Sequence, residues 1–443
     1  MIEANIQIIG ELKEFIRYVL NDKELRKIII PKANDFTRDR NLTVEKLALF
    51  LINMSRKTLS VELHEFFEIL GKSEKRCTKS AFTQQRKKLS YLFFKGWNIN
   101  LRDSFYYYYS EKLVLWNGFR LIGVDGSTFY LPQTKEILEY FGTQENQYGG
   151  KAMARALFVY DVLNEISIHN EIHPIKTSES AILCDLITLL PYDSIAIYDR
   201  GFPSFKNMFL HIYQEKAKLF VMRCSLTQNK AVIDFVKSGK RSAIVELHPN
   251  KDAKNQLWEL GYKVFENTTI KIRFIRIELD NGDIEILATN LYDSIKYPTS
   301  QFKSLYFHRW KVETGINYIK NLYQIELFSG RSVESVKQDF YATMFTFNLH
   351  SILIKQCDLK LKMKDKETKY EYKINRTVTL GFIKGDLLLL FINSNPKEIL
   401  IKMQNEFSKE TIPIRDGRKY ERTKKVRRLN GKYQSLTNYK RAI

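Results

Sequence analysis

Between Phe119 and Asp199 the chain changes texture, and that change limits the folds open to it more than any other feature. Short, β-rich apolar runs follow one another: FRLIGVD, ARALFVYDVL and EISIHNEIHPI, then a helical SESAILCDLITLL, then SIAIYD and a helix from about Phe205. Before this stretch the apolar residues recur at helical spacing, as in LTVEKLALFLINM and SVELHEFFEIL. After it, KLFVMRC, AIVELHP, TIKIRFIRIEL and DIEILATNLYD alternate between turns rich in Asn, Asp and Gly. Helical texture returns at about Thr299 and continues through SVESVKQDFYATMFTFNLHSILIKQ. The expected organisation is an all-helical domain over 1–116, an α/β domain over 117–330 with a β-rich insertion at 218–298, and a helical region with a basic tail over 331–443.

Three strands, a helix, a further strand and another helix is the order of an RNase H-like α/β core, so that core is the expected fold of the central domain. At 443 residues and 44% hydrophobic content the chain can bury at least one large core. Lys and Arg number 71 against 50 Asp and Glu, and the resulting charge of +21 attracts polyanions, with nucleic acid the first partner to consider. Cys77, Cys184, Cys224 and Cys357 are widely spaced and offer neither a disulfide framework nor a zinc site. The N-terminus lacks a basic start followed by an apolar run, and LLLLFI at 387–392 is too short to span a bilayer. A cytoplasmic protein with no membrane partner is therefore expected.

The segment YFHRWKVETGINYIK places Tyr306, Arg309, Glu313 and Lys320 on one face if it forms a regular helix, within an arc of about 60° at ~100° per residue. Leu305, Val312, Ile316, Ile319 and Tyr323 form a neighbouring apolar stripe that can anchor such a helix. Arg309 and Glu313 are an i,i+4 pair and fit an ordinary solvated helix face. The same residues also fit a carboxylate that holds a divalent metal, beside cations and a phenol that hold phosphate. That second reading requires partner carboxylates elsewhere.

Asp125 ends LIGVD and Asp199 ends IAIYD, each where an apolar strand meets a polar turn, the place where an α/β sheet presents reactive side chains. Asp161, ending LFVYD, has the same local pattern and stays in contention on texture alone. Two strand-end aspartates and a helical glutamate would give the oxygen-rich cluster that hard cations need, and mutual repulsion would leave it poorly ordered without metal. No phosphate-binding GxxxxGK[ST] loop or GxSxG elbow is present. His169 and His173 lie in a strand-like segment where a four-residue spacing does not converge, and Ser127 and Thr128 lack a matched base.

Together, VDG at Asp125, YDRGF at Asp199 and Y-x2-R-x3-E-x6-K from Tyr306 to Lys320 resemble the DDE transposases of bacterial insertion sequences, in the group named for its Tyr-Arg-Glu-Lys signature. The resemblance covers about residues 35–355. It implies that Asp125, Asp199 and Glu313 hold two Mg²⁺ ions, with Mn²⁺ able to substitute. It further implies that Arg309 and Lys320 grip phosphates at the transposon end and that Tyr306 positions that strand. The implied reaction is cutting of DNA at inverted terminal repeats and joining of the 3′-ends to target DNA, carried out by a homodimer in the bacterial cytoplasm at the nucleoid. Some members use a tryptophan of the insertion to stabilise a flipped base; Trp258 is the tryptophan available here, and its QLWELGY context also suits packing.

Further DNA contacts are expected from Arg200 and from Gln84, Gln85, Arg86, Lys87 and Lys88 in TKSAFTQQRKKL, where Thr78 or Ser80 can cap a helix carrying base-edge and phosphate donors. The basic tail after Pro413 adds a candidate phosphate-binding arm. Two rivals share these residues: a structure-selective nuclease on the same fold, and a non-catalytic DNA-binding regulator descended from a transposase.

Overall fold

The computed structural model describes residues 2–38, 40–53, 57–146, 149–364 and 369–415. Within them, the helices α1 (Ile2–Asn21), α2 (Lys23–Ile29), α3 (Val44–Asn53), α4 (Leu59–Ile69), α5 (Lys79–Arg86) and α6 (Leu92–Tyr108) come first. There follow β1 (Arg120–Tyr130), α7 (Lys135–Phe141), β2 (Thr143–Asn146), β3 (Gly149–Asp161), β4 (Ile166–Pro174), α8 (Glu179–Ile187), β5 (Ser194–Tyr198) and α9 (Phe205–Ile212). Next come β6 (Leu219–Cys224), α10 (Lys230–Lys237), β7 (Ser242–Leu247), α11 (Lys251–Glu259), β8 (Ile270–Glu278) and β9 (Ile284–Thr289). The chain closes with α12 (Phe302–Phe307), α13 (Trp310–Asn317), a single π-helical turn Tyr318–Leu322, α14 (Val333–Lys364), β10 (Tyr372–Ile374), α15 (Arg376–Ile392), α16 (Lys397–Phe407) and β11 (Thr411–Pro413). No helix of the described residues is long and apolar enough to cross a membrane.

The chain divides into two compact units. One comprises Leu113–Phe129 and Ala154–Asn317. Its sheet runs in the order β3, β1, β5, β6, β9, β8, β7, with β4 on the other side of β3. β1, β5 and β6 are mutually parallel, and this centre is covered on both faces: Leu121, Ile122, Val124, Ile195, Ile197, Phe220 and Val221 are fully buried. Burial on both faces explains why these strands read as unbroken apolar runs. β3 and β4 form an antiparallel hairpin, whereas β9, β8 and β7 extend the sheet antiparallel from β6.

The strands expected between 218 and 298 are therefore present, but two helices, α10 and α11, stand among them. Each is started by an asparagine whose side chain accepts from the helix, Asn229 from Val232 N–H and Asn250 from Ala253 N–H. Asp161 leaves contention here as well. It is buried in the β3–β4 turn, where its carboxylate accepts from the backbone N–H groups of Leu163 and Asn164 and from Asn164 Nδ2. These bonds cap the turn and engage both oxygens of the carboxylate.

The other unit comprises Met1–Lys112, Tyr130–Met153 and Tyr318–Ile443, so the first and last helices of the described residues share one core. α14 packs against α6 and α3, and Trp97 of α6 stacks on Phe345 of α14 with ring centroids 4.0 Å apart. The Trp97 indole N–H donates to Leu12 O at 3.0 Å, which ties α1 into the same contact. Of the basic tail, residues 416–443 lie outside the described residues.

Candidate active site

β1 and β5 run in register, and their last pair is Val124 with Tyr198. Asp125 and Asp199 are the next residue on each strand. Parallel pairing thus sets the two aspartates side by side, Asp199 just past the carboxyl end of β5 and Asp125 within β1, which runs on to Tyr130, so Asp125 does not end its strand as the run LIGVD suggests.

Glu313 reaches the same place on α13, which lies unusually close to β1. A Cβ at Gly123 would stand 2.9 Å from Val162 Cγ1 and 3.0 Å from Val312 Cβ. A Cβ at Gly315 would stand 3.2 Å from the Tyr160 ring. Two glycines, one on the strand and one on the helix, therefore permit the approach.

The expected continuous helix is not what forms. α12 stops at Phe307 and α13 starts at Trp310, and across the join the backbone bonds shorten to i→i−3, as in Arg309 N–H to Tyr306 O and Val312 N–H to Arg309 O. A projection at about 100° per residue no longer applies through this turn. Arg309 consequently turns inward: its side chain is 1% exposed, and its Nη1 donates to Glu313 Oε1 at 2.8 Å and lies 4.0 Å from Asp199 Oδ2. Tyr306 is also buried, with the guanidinium groups of Arg309 and Arg223 each 5.9 Å from its ring centroid, and its hydroxyl donates to Tyr198 O at 3.4 Å. Lys320 sits in the π-helical turn that follows α13.

The electrostatics of the two aspartates diverge. Burial pushes Asp125 up to about 6; the Gly126 N–H and Arg309 work against this, while Glu313 and Glu179 add to it. Burial would raise Asp199 too, but the Arg200 N–H, Arg309 and Arg223 outweigh it and hold this carboxyl below its ordinary value. Arg223 is the larger surprise. From β6 its Nε and Nη2 both donate to Asp199 Oδ1, at 3.0 and 2.7 Å, and its Nη1 donates to Glu285 Oε1 of β9 at 2.6 Å.

Arg223 and Glu285 escaped the sequence reading, although Arg223 is the one charge in the apolar run LFVMRC. Glu179 escaped it as well. Its carboxylate lies against the Gly126 backbone, 2.2 Å from where a Cβ would stand, and pairs with Arg155 at 3.4 Å. Gly123 had a signal, since glycine inside a strand marks a close backbone approach.

Of the other expected contacts, Arg200 is exposed beside Asp199. On α5, Gln84 is exposed, as is Lys87 just after the helix, whereas Lys88 pairs with Asp35 at 3.2 Å. Gln85 is buried and donates to Leu42 O, and Arg86 is buried against Asp339, Gln338, Ser329 and Ser335. Thr78 is the residue that caps this helix. Trp258, on α11, is 50% exposed; its indole N–H donates to Val264 O at 2.8 Å and its ring meets Phe265 edge-on.

The donor chemistry at the sheet edge suits a hard divalent cation, since Asp125, Asp199 and Glu313 offer only oxygen. Among the described residues no three His, Cys, Asp or Glu side chains already stand close enough to hold one ion together. The positive charge beside Asp199 and Glu313 is instead supplied by Arg309 and Arg223. These cations offset the repulsion between the carboxylates.

Residues 116–349 match the family described as the transposase DDE domain. Over 239 residues the chain is 23% identical to the transposase InsG for insertion sequence element IS4 of Escherichia coli (strain K12), which covers 53% of this chain and 52% of that one. Over 103 residues it is 25% identical to the putative transposase InsZ of the same strain, covering 23% of this chain and 34% of the other. The chain thus spans about half the length of the first relative and about a third of the second. Among solved structures, the piggyBac transposase synaptic complex with hairpin DNA aligns with a TM-score of 0.38 and 10% identity, over 91% of this chain and 78% of that chain.

Proposed function

The chain belongs to the family of transposases that carry a DDE domain, and from that premise we propose that it binds the inverted ends of a mobile DNA element, cuts there, and joins the freed 3′-ends to target DNA. The observation that carries this reading is the register of β1 against β5, which sets Asp125 beside Asp199 while Arg309 links Asp199 to Glu313. An antiparallel hairpin β3–β4 beside the parallel strands β1, β5 and β6 supports assigning the core to the RNase H-like class.

In this proposal Asp125, Asp199 and Glu313 are the metal ligands, with Glu313 joining once Arg309 releases it. A bound pair of Mg²⁺ ions, or Mn²⁺ in their place, supplies the acidity that makes water or a 3′-hydroxyl nucleophilic and neutralises the leaving oxygen. The chain's own residues orient the strand. Arg309 Nε is buried and donates to no described atom, which leaves a charged donor for a phosphate oxygen. Tyr306, beside both arginines, lines the path along which Arg309 turns from Glu313 to the phosphate. Lys320, Arg200, Gln84 and Lys87 add contacts along the DNA, and two copies of the chain, one per end, form the synaptic assembly at the nucleoid.

The test is to incubate the protein with linear DNA that carries or lacks the inverted repeats flanking its coding region, with Mg²⁺ or with EDTA. Nicks confined to repeat-bearing DNA, dependent on the metal and leaving 3′-hydroxyls, are expected. Cutting without regard to the repeats would instead identify a nuclease on the same fold. Binding without cutting would identify a regulator.

A further inference from the structure

Asp199 has two carboxylate oxygens, and the chain treats them differently. Oδ1 accepts three N–H groups: Arg200 N at 2.6 Å, Arg223 Nε at 3.0 Å and Arg223 Nη2 at 2.7 Å. Oδ2 has Arg309 Nη1 at 4.0 Å, beyond hydrogen-bond reach. One oxygen is thus saturated and the other faces the catalytic edge.

Arg223 can do this because its remaining nitrogen is tethered. Nη1 donates to Glu285 Oε1 at 2.6 Å across the antiparallel β6–β9 pair, and both side chains are largely buried, at 15% and 11% exposure. A guanidinium held at one end by a carboxylate loses the rotamer freedom that would otherwise let it swing out to solvent.

We infer that Glu285 and Arg223 are positioning residues that clamp Asp199 through Oδ1, so that Oδ2 alone is presented to a divalent ion. This rests on the proposed role of Asp199 as a metal ligand. Neither residue touches the reacting atoms; both act through Asp199. Glu285, 86 positions beyond Asp199 in the sequence, is therefore part of the catalytic apparatus although it lies in what reads as a β-rich insertion.

The test measures Mn²⁺ binding by electron paramagnetic resonance, alongside cleavage rate and affinity for repeat-bearing DNA. Glu285→Ala is expected to weaken Mn²⁺ binding and to lower kcat, each by ~10-fold or more, the usual effect of removing the partner of a metal ligand. DNA affinity should stay within about twofold. Glu285→Gln keeps an acceptor for Arg223 Nη1 and should recover most of both losses. Arg223→Lys should not, because one ammonium cannot hold Oδ1 with two donors and reach Glu285 as well.

Unchanged Mn²⁺ binding in Glu285→Ala, or a loss of DNA affinity in its place, would overturn the inference. If Glu285→Ala does not fold, the double variant Arg223→Gln/Glu285→Gln, which keeps a neutral hydrogen-bonded pair, carries the same expectation and the same refutation. Asp199→Ala separates the two levels. If it binds Mn²⁺ and cuts like the parent, the metal-ligand reading fails; if it loses both while Glu285→Ala loses neither, only the clamp fails.

Discussion

Alanine at Asp125, at Asp199 or at Glu313, introduced one at a time, is expected to abolish cutting of repeat-bearing DNA, a loss of at least ~10³-fold or about 4 kcal/mol of transition-state stabilisation. DNA binding should survive in all three. Affinity for DNA comes chiefly from cations meeting phosphates, and none of these changes removes a cation. Asp199→Ala deprives both Arg223 and Arg309 of a counter-ion, and Glu313→Ala deprives the buried Arg309 of its 2.8 Å partner, so both should also lower stability. The measurement is a nicking assay on labelled end DNA, paired with a binding titration at fixed salt. Normal cutting by any one of the three variants would remove that residue from the site.

Arg86→Ala is expected to destabilise the helical unit by about 3–5 kcal/mol, the usual cost of stranding one member of a buried ion pair. Arg86 and Asp339 have side chains 5% and 6% exposed and meet at 2.7 Å. The same guanidinium donates to Gln338 Oε1 at 2.6 Å, Ser329 Oγ at 2.6 Å and Ser335 O at 2.8 Å. Removing it leaves the Asp339 carboxylate buried with only the Ser329 donors among these partners. Chemical denaturation followed by circular dichroism should show the loss in the transition that unfolds this unit. Below the transition the variant should bind DNA like the parent. A stable variant with weakened DNA binding would show that Arg86 acts as a surface cation, as its place in TQQRKKL suggests.

That contrast marks what could be read from the chain alone. Local pattern singled out Asp125 and Asp199, because an apolar run ending in aspartate marks where a strand buried on both faces meets polar surroundings, although β1 continues past Asp125 to Tyr130. It also separated the helical from the β-rich stretches, since burial periodicity is a local property. Arg86 could not be placed in this way. Its partner Asp339 lies 253 residues away, and no window of sequence holds both.

The segment that carries Glu313 was legible in its residue types and not in its geometry. Tyr306, Arg309 and Glu313 do share one site, but through a tightened turn between α12 and α13 that buries Arg309, where a uniform helix would have displayed it. Arg223 and Glu285 were hidden for a related reason. A charge within a strand is read as pointing to solvent until its cross-strand partner is known.

In the proposed reaction three acidic side chains close on divalent metal against a DNA strand, displacing the arginine that now holds Glu313. Crystals of the protein bound to its end DNA, soaked in Mn²⁺ and measured at the manganese absorption edge, test it most directly. The account predicts an anomalous peak bonded to oxygens of Asp125, Asp199 and Glu313 at about 2.0–2.2 Å, with the Arg309–Glu313 contact broken and Arg309 on a phosphate. A peak elsewhere, or Mn²⁺ bound with Glu313 still paired to Arg309, would contradict it.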